Sequence, residues 1–178
     1  MATQPMPGGV AAAAMAGAIG TALITKATRI TLQKQTMVFS DQAELQTLLD
    51  HAQAQQISLV RLAGDDEHAY RVVLDTQALA AETSARRDAQ AEAIEVPIRV
   101  AEACRSLLSS LPRLADICWP AVQHELQTGT WLLEVGLRAG LLAAETNLRA
   151  WGDHRELLHF QARSDALAQS SAYRQIGE

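Results

Sequence analysis

The chain has 178 residues, a formal net charge of −5 and only 4% aromatic residues. Its length suits one domain over residues 1–178 with a hydrophobic core of its own. The negative charge, without a basic stripe and interleaved aromatics, argues against binding to nucleic acid. Abundant alanine and only five prolines favour helices over strands, so the composition predicts an all-α protein.

The first predicted helix starts at the Pro7-Gly8-Gly9 turn and runs to about Lys34. Small residues three or four positions apart leave one of its sides almost without side chains. They are Ala13, Ala16, Gly17 and Gly20. The backbone of another helix can lie close against such a side, and the free N–H groups of the first turn suit a carboxylate or another electron-rich ligand. A tight helix–helix contact and a ligand site both fit this pattern.

The apolar run from Val10 to Ile24 is too short and too rich in alanine for a membrane span, and it lacks the basic region of a signal peptide. We therefore expect a buried core helix, no membrane association and a cytoplasmic protein. Cys104 and Cys118 lie in apolar surroundings without CxxC spacing. This arrangement indicates buried free thiols and fits a reducing compartment.

A second helix is predicted from the pair Ser40 and Asp41, since Glu44 follows three residues after Asp41 and completes a capping box. Apolar residues at helical spacing extend this helix to about Val73. Gly64 is its one weak point and marks a kink.

The positions of the prolines and the spacing of apolar residues predict the remaining elements. A loop or a weak turn of helix is predicted within 75–88. It is followed by a third long helix that Pro97 bends and that continues to about Leu111. Pro112 and Pro120 bracket an irregular connection.

The last core helix is predicted over residues 125–151, and a shorter surface helix is predicted over residues 153–178. No internal repeat or low-complexity linker divides the chain, so a bundle of antiparallel helices is the simplest architecture.

Several short motifs recur in a definite order along the chain. They are Pro7-Gly8-Gly9, the Ala/Gly helix, Ile30-Thr31-Leu32-Gln33-Lys34, Asp66-Glu67-His68-Ala69-Tyr70, Val96-Pro97-Ile98, Val100-Ala101-Glu102 and Glu134-Val135-Gly136-Leu137-Arg138. This order resembles the formiminotransferase-cyclodeaminase C-terminal domain family over about residues 5–150. Members of that family are all-helical homodimers, and those characterised act on folates, as formiminotetrahydrofolate cyclodeaminase or methenyltetrahydrofolate cyclohydrolase. The resemblance thus implies a homodimer and a small-molecule substrate.

The resemblance also suggests catalytic residues. Lys34 falls on a family lysine after the first helix, and Asp66 falls on an acidic position followed by an aromatic residue, Tyr70. In the family's reactions, water attacks an amidinium carbon or an amine closes a ring with loss of ammonia. Such chemistry needs a general acid or base, for which Asp66 and Lys34 are the candidates. From the residues alone, Asp66 equally fits a solvated acidic run and Lys34 a charge that complements the helix C-terminus.

The turn that opens the first helix departs from the family pattern. Family members usually read Pro-Gly-Gly-Gly-Ser, whereas Val10 and Ala11 follow Gly8 and Gly9 in this chain. The change removes a hydroxyl and adds bulk. We expect Gly8, Gly9 and Val10 to contact the substrate, with Tyr70 as a hydrogen-bond donor.

The last core helix departs from the family pattern as well. His124 and Glu125 stand where the family has Ser-Asp, and they are predicted to replace the lost acid or base in binding the substrate. One family asparagine of this helix becomes Ala143, while Asn147 is kept.

These departures favour a divergent enzyme that keeps imine, iminium or amidinium C–N chemistry but acts on a non-folate substrate, in a specialised biosynthetic pathway. Authentic cyclohydrolase or cyclodeaminase activity on folate is one alternative, and a catalytically inactive helical dimer that serves as a binding or scaffold protein is the other. The five histidines lack the spacing of a metal site, and no dinucleotide or Walker fingerprint occurs. We therefore expect no metal and no cofactor, with folate entering only as a substrate.

Overall fold

The computed structural model describes residues 8–34, 38–81, 83–151 and 158–170. Six helices are described: α1 (Gly9–Lys34), α2 (Phe39–Thr76), α3 (Ser84–Leu108), α4 (Pro112–Ile117), α5 (Gln123–Trp151) and α6 (Leu158–Ser170). A 3₁₀ turn, Pro120–Val122, precedes α5. The described residues contain no strand, so the prediction of an all-α protein is confirmed.

Four long helices form the body of the protein. α1 packs between α2 and α5, and α3 packs against the same two helices from the opposite side. Neighbouring long helices run antiparallel, as predicted. Side chains from all four fill a common core, in which Ile24, Leu59, Leu107 and Leu133 have no exposed surface.

α1 is the one described helix that is long and apolar enough to cross a membrane. Within the bundle, 61% of its most apolar stretch is buried by the other helices, as is usual for the core helix of a globular protein. Its predicted position in the core and its predicted end at Lys34 are both confirmed.

The small side of α1 makes a close helix–helix contact with α5. A Cβ added at Gly20 would lie 2.7 Å from the carbonyl oxygen of Gly129, and one added at Gly129 would lie 2.8 Å from the carbonyl oxygen of Gly20. Gly136 of α5 faces the backbone of Ala13 and the thiol of Cys104. Of the two interpretations of the small residues, the helix–helix contact therefore holds along the body of α1.

The start of α2 differs from the predicted capping box. α2 begins at Phe39 after an extended Val38, and no side chain caps it. The Asp41 carboxylate instead accepts a hydrogen bond from Arg113, 2.5 Å away at the start of α4. The capping box was wrong because a long-range ion pair satisfies this carboxylate better than the local backbone does.

The connection between Pro112 and Pro120 is more regular than predicted. Each proline stands in the first turn of a short helical element, where its missing N–H leaves no hydrogen bond unmade. The expectation of an irregular connection was therefore wrong.

The tail helix is more closely packed than predicted. Within the predicted 153–178 segment, only α6 belongs to the described residues. Phe160 is buried against α3 and α5, and the Arg163 guanidinium pairs with Glu95 and Glu102 of α3. α6 is thus tied to the bundle by one aromatic anchor and a bidentate ion pair.

The glycine contact between α1 and α5 predicts that a glycine-to-alanine substitution changes stability differently inside and outside this contact. Gly20→Ala should lower the free energy of unfolding by about 1–3 kcal/mol, because its methyl group meets a rigid backbone oxygen. Gly64→Ala is the matched control, since a Cβ there meets nothing within 4 Å. It should raise stability by about 1 kcal/mol through helix propensity. Urea unfolding measures both, and equal effects would contradict the contact.

Candidate active site

A pocket of about 610 Å³ opens at one end of the bundle. There the N-terminal end of α1 meets the C-terminal halves of α2 and α5. Eleven residues line it: Gly8, Gly9, Val10, Asp66, Glu67, Tyr70, Ala139, Leu142, Ala143, Thr146 and Asn147. The volume lies in the range of small-molecule sites, roughly 300–1,000 Å³.

Five of the predicted site residues share this pocket. Gly8, Gly9 and Val10 come from the turn that opens α1, while Asp66 and Tyr70 lie one helical turn apart on α2. Because α1 and α2 are antiparallel, the start of the first helix and the end of the second reach the same end of the bundle. Pro7, the first residue of the predicted turn, lies outside the described residues.

The Asp66 carboxylate caps the N-terminus of α1. Its Oδ2 accepts a hydrogen bond from the backbone N–H of Ala11 at 3.2 Å. The positive end of a helix dipole favours a carboxylate at this place. The predicted electron-rich partner of the first turn is therefore supplied by the protein itself.

Burial determines the proton affinity of Asp66. The carboxyl is half-buried, and this burial raises its pKa above the ordinary value of 3.8, while the hydrogen bond from Ala11 lowers the pKa by less. A carboxyl whose pKa moves toward neutrality accepts and returns a proton more readily than an exposed one. The site thus holds a group suited to general acid–base chemistry.

The glycines of the turn differ in what surrounds them. A Cβ at Gly8 would lie 3.3 Å from Oδ2 of Asp66, whereas a Cβ at Gly9 would meet nothing within 4 Å. Gly8 therefore lets the carboxylate approach the helix start closely. At Gly9, the space that a side chain would fill is open.

Glu67 and Tyr70 complete the α2 side of the pocket. The Glu67 carboxylate pairs with Arg71 one turn further on, and the Tyr70 side chain is about half exposed. None of the described lining residues is a lysine or an arginine. The carboxylates of the pocket therefore lie on its α2 side, without a cation opposite them among the described lining residues.

The opposite wall comes from α5 and was missed by the sequence prediction of the site. Ala139, Leu142 and Ala143 make it largely apolar. The Asn147 amide donates to the carbonyl oxygen of Ala93 at 2.8 Å, which fixes its orientation against α3. Helical spacing and the retained family asparagine were the signals in the sequence that could have identified this wall.

Lys34 does not lie near Asp66. Lys34 is exposed in the last turn of α1, 24 positions after Val10, which corresponds to about 36 Å along a straight helix. The expectation that Lys34 and Asp66 share one site within a chain was wrong. Its physical reason is the length of α1, which holds the two ends of the bundle apart.

His124 and Glu125 also lie away from the pocket. Glu125 is buried at the start of α5, and its Oε1 accepts a hydrogen bond from Nζ of Lys26 at 2.5 Å. This bond holds the pKa of Glu125 below its usual range. The exposed His124 ring pairs with Glu125 at 2.8 Å. The expectation that both contact the substrate beside Asp66 is not met, because about 21 Å of α5 separates Glu125 from Ala139.

Within the described part of the chain, the cysteines and acidic side chains form neither a disulfide nor a metal site. Cys104 and Cys118 are buried free thiols, as predicted, and burial raises the pKa of Cys104 to about 12. Among the described residues, no three His, Cys, Asp or Glu side chains are close enough together to hold a metal ion.

The described residues form an antiparallel helical bundle with a pocket of small-molecule size at one end. The sequence profile of the formiminotransferase-cyclodeaminase family matches residues 1–166. The chain belongs to this family.

Two relatives give the extent of the similarity. A methenyltetrahydrofolate cyclohydrolase from Methylorubrum extorquens AM1 is 25% identical over 159 residues, which cover 85% of this chain and 76% of that protein. The crystal structure of formiminotetrahydrofolate cyclodeaminase from Thermotoga maritima matches with a TM-score of 0.77 and 21% identity, over 93% of this chain and 86% of that one. The second comparison establishes the shared fold.

The raised pKa of Asp66 predicts how its replacement changes the pH dependence of stability. The folded protein keeps the Asp66 proton to a higher pH than the unfolded chain does, so the contribution of Asp66 to stability falls as pH rises above 3.8. The free energy of unfolding of Asp66→Asn, relative to wild type, should therefore increase between about pH 4 and pH 7. Urea unfolding at each pH tests this, with Asp65→Asn as the control for loss of a neighbouring negative charge. A relative stability that decreases over this interval would contradict the burial of Asp66.

Proposed function

We propose that this protein is a folate enzyme that acts at a C–N centre, with hydrolysis of methenyltetrahydrofolate as the favoured reaction. The observation that carries the proposal is Asp66, a half-buried carboxyl with a raised pKa that lines a pocket of ligand size. The similarity to a cyclohydrolase over most of both chains supports the substrate class. The proposal includes Asp66 as the catalytic group and Gly8, Gly9, Val10 and Tyr70 as groups that bind the substrate.

Asp66 can carry the proton of a hydrolysis through both halves of the reaction. As a carboxylate it takes a proton from water while the water oxygen bonds to the amidinium carbon. The Asp66 carboxyl then returns the proton to one of the two nitrogens, the bond between that nitrogen and the tetrahedral carbon breaks, and the hydroxyl on this carbon releases its proton to water as the formyl C=O forms. Asp66 thus serves as base and then as acid toward the substrate, and the net proton of the hydrolysis leaves to solvent.

The charge of the pocket fits a cationic reacting centre. Asp66 and Glu67 lie on its α2 side, and no cation among the described lining residues opposes them. An amidinium ion is therefore attracted to the side that holds the base. The apolar side chains of Val10, from α1, and Leu142, from the α5 wall, suit a flat aromatic ring system.

Two other functions remain as outcomes of the same experiment. A divergent enzyme would share the C–N chemistry but reject folate, and the bulk of Val10 in the opening turn is the feature that suggests it. A scaffold protein would bind no small molecule in this pocket. A cytoplasmic location remains an expectation from the sequence.

Replacing Asp66 tests the proposed chemistry directly. Asp66→Asn keeps an oxygen that can accept the Ala11 N–H but cannot take up a proton, so kcat for methenyltetrahydrofolate hydrolysis should fall by about 10²–10⁴-fold. Glu67→Gln is the matched control: it removes a neighbouring carboxylate that is already paired with Arg71, and it should change kcat far less. The rate is followed by loss of methenyltetrahydrofolate absorbance after subtraction of the uncatalysed reaction.

The outcomes separate the three functions. Wild-type turnover that Asp66→Asn retains in full would refute the role of this carboxyl. Turnover of formiminotetrahydrofolate alone would assign the cyclodeaminase reaction. Binding and turnover of neither folate would refute the folate proposal and favour a different substrate or a scaffold.

We also propose that two copies of the chain pair through α1 and α5. Large apolar side chains are exposed on neighbouring stretches of these two helices: Met15, Ile19, Trp131, Val135 and Leu142. Such a surface on a globular protein usually marks an interaction site. Leu142 also lines the pocket, so a second copy on this face would lie beside the pocket opening. A two-fold arrangement would use the same face on both copies.

Charged substitutions on this face should prevent pairing. Trp131→Glu or Ile19→Glu places a carboxylate in the proposed interface and should halve the mass measured by sedimentation equilibrium. Ile57→Glu is the control, since Ile57 is exposed on α2 outside this face. A monomeric wild type, or a dimer that both substitutions leave intact, would contradict the proposed interface.

A further inference from the structure

A second pocket, of about 400 Å³, lies between α1 and α2. Its lining residues are Ala22, Thr25, Lys26, Arg29, Ile30, Gln33, Gln53 and Gln56. Arg29 is 19 positions from Val10, about 28 Å along α1, so this pocket is separate from the proposed active site. Nothing in the proposed reaction uses it.

The charge of this pocket is opposite to that of the first. Its described lining holds two cations, three glutamine amides and no carboxylate. The Lys26 ammonium forms an ion pair with the Glu125 carboxylate of α5, and this pair neutralises part of the positive charge of Lys26. Arg29 is exposed and makes no ion pair or hydrogen bond with another described residue. The guanidinium of Arg29 is therefore an uncompensated charge at the pocket.

Thr25 provides a second and independent observation. The residue is 8% exposed, and its hydroxyl is buried without a hydrogen-bond partner among the described residues. Thr21 and Thr28, on the same helix, each donate to the carbonyl oxygen four residues earlier at 2.8 Å. Thr25 departs from this pattern at the position that lines the pocket. A buried hydroxyl without a partner is unfavourable unless a ligand or water satisfies it.

We propose that this pocket binds an oxyanion, the phosphate or carboxylate group of a small solute. Arg29 supplies the principal charge, and its planar fork of N–H groups matches two oxygens of such a group. The amide of Gln53 or Gln56 donates a further hydrogen bond, and the Thr25 hydroxyl does so after a change of rotamer that brings it to the pocket. The site lies outside the pocket of Asp66, so its occupation is measured independently of any folate activity.

Calorimetric titration of the full chain with inorganic phosphate and, separately, with succinate tests the proposal. Potassium chloride at equal ionic strength serves as the blank. Wild-type protein should bind at least one of the two saturably, and the tighter one identifies the oxyanion. Arg29→Gln should weaken that binding by at least about tenfold, since it removes a charge-assisted hydrogen bond. Arg149→Gln, which removes an arginine exposed at the end of α5, should leave the affinity unchanged.

Thr25→Val gives a readout that a general charge effect cannot produce. Valine keeps the shape and removes the unpartnered hydroxyl, so the ligand-free protein should melt at a higher temperature than wild type. The increase in melting temperature caused by the bound oxyanion should at the same time become smaller. Circular dichroism verifies that each variant keeps its helices.

The proposal is overturned if wild type binds neither anion saturably. It is also overturned if Arg29→Gln binds as tightly as Arg149→Gln does.

Discussion

The close contact of α1 with α5 is the constraint on which the rest of the structure depends. Gly20 and Gly129 bring the two backbones within reach of each other, and no side chain larger than hydrogen fits at either place. The contact fixes the position of α1 along α5, and so it sets the start of α1 beside Ala139 and Ala143. The pocket exists because a helix with almost no side chains on one face can lie this deep in the bundle.

Asp66 has both a structural role in the fold and a proposed role in the reaction. Its carboxylate caps the first turn of α1, which favours its charged form, while burial at the pocket favours its neutral form. Burial has the larger effect, and the carboxyl is left able to exchange a proton. A carboxylate that served only to cap α1 could do so equally well if it were exposed to solvent. The same carboxylate holds the α1 turn in place, so the substrate pocket and its proposed base are positioned by one contact.

Local sequence signals predicted the four long helices correctly. The small residues of α1 and the proline inside α3 are local features, and the structure places them in these helices as predicted, while Gly8 and Gly9 line the pocket at the start of α1. Positions along long helices were misjudged: Lys34, His124 and Glu125 belong to the other end of α1 or α5. Sequence motifs carry no information on distance, whereas a helix of 26 residues is about 39 Å long. The Asp41 to Arg113 pair arises from tertiary packing that no local pattern encodes.

The central claim is that the pocket beside Asp66 is where a folate binds. A crystal structure of the Asp66→Asn variant grown with methenyltetrahydrofolate tests it most directly, because this variant should hold the substrate without turning it over. The account predicts electron density for the ligand between the α1 turn and the α5 wall, with its amidinium carbon next to residue 66. Density for the ligand at any other place on the bundle, or an empty pocket at saturating ligand, would contradict it.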